Sequence, residues 1–358
     1  MNISPPANAD EPGSLASGKY SVIMGRQGYT AVVLRLIGME MYKLRRRTLS
    51  KAVGSIAAVL AIIPFVLVAI GTLVTINTPV ESYQPPCQTI ASGNPQPAQP
   101  PGCPVLTQAQ LERLHQMTVQ FTSMPLRLPL SLNIAVQFAL IAGTALVIIV
   151  IGTIVGGEYS IGTIRLLYSR GPTRTQFLLA RLGAIFFISL SGILLMVGLG
   201  VLAGQAFNLL SGFPQTGDFF SLGWLEHALL YLLIAILNWS MYGVIALFFG
   251  VLGRSTVAAV VGAFIWFIAE PILSSLLTLL SSISRGLLSE LLKAIPDYFI
   301  INNFGALEQG QSSYVLGPSS GPASPSLNAV HAMIVIAVYF VVFSGLAWWL
   351  NRVRDITN

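Results

Sequence analysis

The chain is 358 residues long, 54% hydrophobic and only 9% charged, with a formal net charge of +6. Soluble domains carry about 25% charged residues, so this composition, with its mean hydropathy of +0.74, excludes an ordinary soluble enzyme or binding domain. The basic excess follows the apolar segments as membrane topology would place it, so nucleic acid is not an expected partner.

Residues 1–28 read as a disordered cytoplasmic tail, Pro-, Ser- and Gly-rich over the first 18 positions. The first ~50 residues lack the short basic head and apolar core of a secretory leader. From Tyr29 onward, Val32, Val33, Leu36, Ile37, Met41 and Leu44 keep a helical apolar stripe, with Arg35, Lys43 and Arg45–Arg47 elsewhere. Residues 29–51 are therefore expected to form a basic amphipathic entry helix in the headgroup layer.

A six-span transmembrane domain is expected over residues 52–352, because six apolar stretches reach the ~20 residues needed to cross ~30 Å of hydrocarbon. They run roughly 53–77, 132–156, 182–204, 225–252, 256–280 and 329–350. An even number puts both termini on one side. With the N-terminus inside, 15 of the 19 basic residues fall on the cytoplasmic side; Arg113, Arg127, Arg285 and Lys293 are the others. The expected external loops are 78–131, 205–224 and 281–328, the cytoplasmic loop is 157–181, and residues 353–358 form a cytoplasmic tail. Localisation is thus expected in the cytoplasmic (inner) membrane, with the lipid bilayer as a partner.

The first external loop is dense in proline and is read as unable to pack a core. It holds both cysteines, Cys87 and Cys103, and on a disulfide-permissive face these are expected to be bonded. In the third, Ile283, Leu287, Leu288, Leu291, Leu292 and Ile295 line one side of a helix that Pro296 stops. This predicts an amphipathic or re-entrant helix at the outer surface. Residues 309–326 read as low-complexity and mobile.

Between spans two and three, Gly156-Gly157 is expected to end the preceding span and Gly171-Pro172 to break the chain. Thr173 followed three residues later by Gln176 is a capping-box pattern for the next helix. Arg165, Arg170, Arg174 and Arg181 make this a basic knuckle held between two membrane helices, suited to docking. Arg254, in the turn between spans four and five, is either an interfacial anchor or a second, smaller contact to a docked partner. Gly152/Gly156 and Gly200/Gly204 permit close helix packing, within the chain or between copies. Polar residues inside spans are few: Asn133 and Gln137 near the outer end of span two, Asn238 in span four and Glu270 in span five. Such groups face a cavity or a partner. Pro271 frees the carbonyl of Phe267, so a protonated Glu270 is expected either to satisfy that carbonyl or to face a transport path.

The sequence has no Gly-x-x-x-x-Gly-Lys-Ser/Thr, no His-Glu-x-x-His and no Gly-x-Ser-x-Gly. Neither an ATPase, a metal site nor a catalytic residue is proposed for this chain.

The knuckle resembles the loop after the second span in permease subunits of type-2 ATP-binding-cassette exporters. There, acid-aromatic-x-x-Gly-Thr is followed by a Leu-Leu pair, an arginine and a Ser/Thr-Arg pair. The matching positions here are Glu158-Tyr159, Gly162-Thr163, Leu166-Leu167, Arg170 and Thr173-Arg174. The resemblance implies an all-α polytopic permease, without a cofactor of its own, that works as a homodimer or heterodimer with a second permease copy. A separate ATPase subunit would use the ATP and Mg, with Glu158 fixing the hinge and Arg165, Arg170 and Arg174 contacting the motor. Asn133, Gln137 and Glu270 are the expected path residues. The long Pro-rich first loop departs from the family. The competing readings are an ion- or proton-coupled carrier or intramembrane enzyme centred on Glu270, and a non-transporting membrane scaffold.

Overall fold

The computed structural model describes residues 28–83, 106–160, 173–212, 221–317 and 327–353. Among them every regular element is helical and no strand occurs. An entry helix α1 (Tyr29–Arg46) breaks at the extended Arg47 and passes directly into α2 (Thr48–Asn77). The second span is built from α4 (Leu130–Phe138), a π-helical turn (Ala139–Gly143) and α5 (Thr144–Ser160). Then follow α6 (Arg174–Leu210), α7 (Leu222–Gly253) and α8 (Thr256–Ile283). The short α9 (Leu287–Ala294) and the longer α10 (Ile300–Leu316) precede α11 (Ala329–Val353).

Six of these segments are long and apolar enough to cross a membrane: α2, Leu130–Tyr159, α6, α7, α8 and α11. This matches the six predicted spans in order and number. The bundle is organised around α7, whose apolar stretch is 67% buried, against 17% for α8 and for α11. α7 packs against α5, α6, α8, α10 and α11. The outer helices keep large apolar side chains such as Leu67, Leu202, Ile272 and Val341 on the exterior, as expected where hydrocarbon rather than water is the solvent.

The glycine pairs serve packing within the chain. Gly200 and Gly204 seat Phe65 of α2, and Gly152 meets Val260 of α8. At Gly143 the π turn leaves room for the Trp239 indole, whose Cζ2 would lie 2.1 Å from an added Cβ.

Several expectations are corrected. Gly156-Gly157 does not end the second span; α5 runs on to Ser160, and the missing side chain at Gly156 lets the α7–α8 turn pack against it. Loop 157–181 shrinks accordingly, since α6 begins at Arg174. Likewise α6 reaches Leu210 and α7 starts at Leu222, inside the expected loop 205–224. Loop 78–131 contains the helix α3 (Gln108–Ser123), which packs on α2 and buries Leu111. No proline falls between Pro104 and Pro125, and Thr107 N–H donates to Gln110 Oε1 at 2.8 Å to start the helix. Residues 309–316, read as mobile, belong to α10, which buries Phe304, Ala306 and Val315. Within the α1 stripe, Ile37 rests on Gly183 of α6. Cys87 and Cys103 lie outside the described residues.

Candidate functional site

Polar groups gather at the two ends of the bundle. At the first end, Glu158 stands in the last turn of α5, where the helix dipole disfavours an acid, and cations from two other helices compensate. Arg181 Nη2 of α6 donates to Glu158 Oε2, and Lys43 Nζ of α1 donates to Glu158 Oε1 at 3.1 Å. Lys43 also meets Glu40 at 3.1 Å. The Arg181 guanidinium lies over the rings of Phe177, at 4.3 Å, and Tyr159, at 5.5 Å. Both Glu158 and Arg181 have side chains only 5% exposed. Among the described residues, two acids and two bases thus form a largely buried network joining α1, α5 and α6.

The same end captures the last helix. Arg174 Nη1 donates to the carbonyl oxygens of Asn351 and Arg352 at 3.0 and 2.8 Å. These are final-turn carbonyls of α11, which have no partner within the helix. Thr173 caps α6 as the sequence predicts: its hydroxyl accepts from Gln176 N at 3.2 Å, and its own N–H donates to Gln176 Oε1 at 3.0 Å. Arg254 takes the left-handed conformation, φ 49°, at the turn from α7 to α8, and the next residues of that turn, Ser255 and Thr256, lie against Gly156. Of the predicted coupling residues, Glu158, Tyr159, Thr173, Arg174 and the Arg254 turn therefore meet at one end. Gly162, Thr163, Arg165 and Arg170 lie outside the described residues.

The partners Glu40, Lys43 and Arg181 were not singled out from the sequence for this role. Glu40 had a legible signal: with Val33, Ile37 and Leu44 it falls on the apolar stripe of α1, where an unpaired acid would be costly.

At the opposite end, Asn133 and Gln137 are one turn apart on α4. Gln137 Nε2 donates to the Tyr231 hydroxyl, which donates to Asn133 Oδ1, both at 2.9 Å. Gln137 also lines a cavity of about 540 Å³ between α4, α8, α9 and α10, together with Lys293, Asp297, Asn302, Glu308 and Gln309. Asn302 Nδ2 donates to Ser274 Oγ and to the Pro296 carbonyl at 2.9 and 2.8 Å, fastening α10 beside α8.

Glu270 makes a contact that neither expectation named. Its Oε1 accepts from the backbone N–H of Ile300, the first residue of α10, whose own N-cap Phe299 supplies no side-chain cap. A carboxylate from α8 thus caps α10 across 30 residues of sequence. It does not line the cavity, and it is bound as an acceptor rather than as a donor to the Phe267 carbonyl. Glu270→Gln keeps an acceptor oxygen and is expected to cost less than about 1 kcal/mol, while Glu270→Leu leaves the Ile300 N–H unmet and costs about 1–3 kcal/mol. Unfolding of the two variants in detergent measures the difference; equal losses would remove the capping role.

Glu308 was missed because it adjoins a stretch that reads as low-complexity. It is 8% exposed and accepts from Asn238 Nδ2 at 3.2 Å. Burial pushes its carboxyl up to about 7 from an ordinary 4.5, against the smaller opposing effect of the Asn238 amide. The folded protein thus holds this proton more tightly than the unfolded chain. The stability gained is complete below about 4.5 and is lost as pH rises through about 7. Among the described residues no three His, Cys, Asp or Glu side chains are grouped to hold a metal ion.

Residues 112–357 match the family model described as a protein of unknown function, DUF2705. The match runs from α3 through α11 and leaves α1 and α2 outside. No curated protein matches the chain.

Proposed function

This chain belongs to the DUF2705 family, and we propose that it is the membrane-spanning permease subunit of an ATP-binding-cassette exporter. Energy would come from a separate ATPase subunit docked on the segment between α5 and α6. The observation that carries this reading is the bracing of both roots of that segment. Glu158, Arg181 and Lys43 clamp α5 to α6 and α1, while Arg174 ties the start of α6 to the end of α11. A push on residues 161–172 would move four helices together, as a coupling element requires.

In this reading the Glu158 end, which carries most of the basic residues among those described, faces the cytoplasm with both termini. A second permease copy completes the path, and ATP and Mg belong to the motor. The carrier reading centred on Glu270 is less well supported, since Glu270 is engaged in capping α10.

Co-expression with an ATPase encoded beside this gene tests the proposal. The ATPase should co-purify, and its activity in liposomes should rise in the presence of this chain. Arg165→Glu with Arg170→Glu should abolish co-purification without lowering the melting temperature. Unchanged capture and stimulation by that double variant would overturn the docking assignment.

A further inference from the structure

We propose that the cavity between α4, α8, α9 and α10 is a binding site for an organic ammonium ion, with Glu308 as its counter-charge and Gln137 as a hydrogen-bonding partner. The site supplies a cargo class for the transport reading and rests on that reading only for the transport step. Binding itself needs no ATPase.

Three observations converge on it. The first is size: about 540 Å³ lies within the range of small-molecule sites, roughly 300–1,000 Å³. The second is Glu308. This carboxyl is more than nine-tenths buried yet lines the cavity, and among the described residues Asn238 is its sole hydrogen-bond partner. A buried carboxylate without a counter-cation is costly, so the site favours a ligand that brings a positive charge. The third is the wall chemistry. Gln137, Ser274, Thr278 and Asn302 offer hydrogen-bonding groups, while Pro296, Ile301 and Leu327 offer apolar surface. A protonated amine on a compact apolar body matches both. A bare metal ion fits less well, because Glu308 and Asp297 are the only carboxylates lining the cavity among the described residues and no His or Cys joins them.

Lys293 and Asp297 line the same space from α9 and the turn after it, and Tyr231 and Tyr242 approach Glu308 from α7. Lys293 is exposed and repels an ammonium ion. The affinity should therefore fall when Glu308 is neutralised and rise when Lys293 is.

The probe is phenethylamine, titrated calorimetrically into the full chain in lipid nanodiscs, with phenethyl alcohol as the neutral isostere. At pH 8 the amine should bind at least tenfold more tightly than the alcohol, and the preference should shrink as pH falls through about 7 and Glu308 takes up its proton. Glu308→Gln should lower amine affinity at least tenfold and leave the alcohol unchanged. Lys293→Gln, on the exposed rim, should raise amine affinity about threefold. If the amine and the alcohol bind alike, or if Glu308→Gln binds the amine as the parent does, the proposal fails. Should Glu308→Gln not fold, Lys293→Gln decides: unchanged or weaker amine binding overturns it. Either failure leaves ATPase docking at the other end untouched.

Discussion

Replacing Gly156 with alanine is expected to destabilise the protein by about 2–3 kcal/mol, while the same change at Gly157 is neutral or slightly stabilising. The two positions are adjacent on α5 and differ in what an added methyl group meets. At Gly156 an added Cβ would lie 2.4 Å from the Cα of Thr256 and 2.7 Å from the carbonyl oxygen of Ser255. Those are backbone atoms in the turn that joins α7 to α8, held by Ser255 Oγ accepting from Ala258 N at 3.0 Å. No rotamer change relieves the clash, so the start of α8 must move; overpacking of this kind costs about 1–3 kcal/mol. At Gly157 the nearest atom among the described residues is the Thr256 hydroxyl at 4.0 Å, an ordinary contact. Alanine there gains helix propensity worth about 1 kcal/mol. Melting of both variants in detergent decides the matter: a Gly156→Ala protein as stable as Gly157→Ala would mean that the turn does not sit on α5 as described. Because that turn carries Arg254, the Gly156 change should also weaken any contact made there by a docked motor.

Arg181→Met is the second large effect, an expected loss of about 3 kcal/mol and, if the proposed ATPase partner docks here, loss of its stimulation. Glu158 and Arg181 are both buried, and removing one partner of such a pair costs about 3–5 kcal/mol, because the remaining charge stays in low dielectric. The lower end applies here because Lys43 still reaches Glu158, although its side chain is 30% exposed. Without Arg181, Lys43 is the cation that still meets Glu40 and Glu158 among the described residues. Neutralising the acid as well should recover much of the stability, since replacing a whole buried pair is often close to neutral. The double variant Glu158→Gln with Arg181→Met is therefore expected to melt above Arg181→Met alone. On the proposed transport reading it should nonetheless remain uncoupled, because the charged tie between α5 and α6 is gone. A double variant that melts below the single one would show that the two residues do not act as a pair.

What could be read in advance follows from the kind of signal each element carries. The six spans are long apolar runs, and bilayer thickness sets their length independently of any partner. The Thr173–Gln176 cap was legible because both partners lie within one turn. Helices α3 and α10 were not. Their sequences are polar or mixed, and α10 is held by Glu270, Ser274 and Asn238, which lie on other helices. The clamp at Glu158 was half legible. The acid and its motif stood out, but Lys43 is 115 residues away and Arg181 looked like one more positive-inside arginine.

The sequence by itself determined the helical class, the number and order of the spans and the segregation of the basic residues, because hydrophobic length and charge are local properties read against a bilayer. It also determined the cap that starts α6. Only the tertiary structure decided which charges neutralise one another, that Glu270 caps a distant helix, and that Glu308 is left facing a cavity. Those outcomes depend on which helix faces are brought together, and a buried polar group takes its role from the partner across the interface.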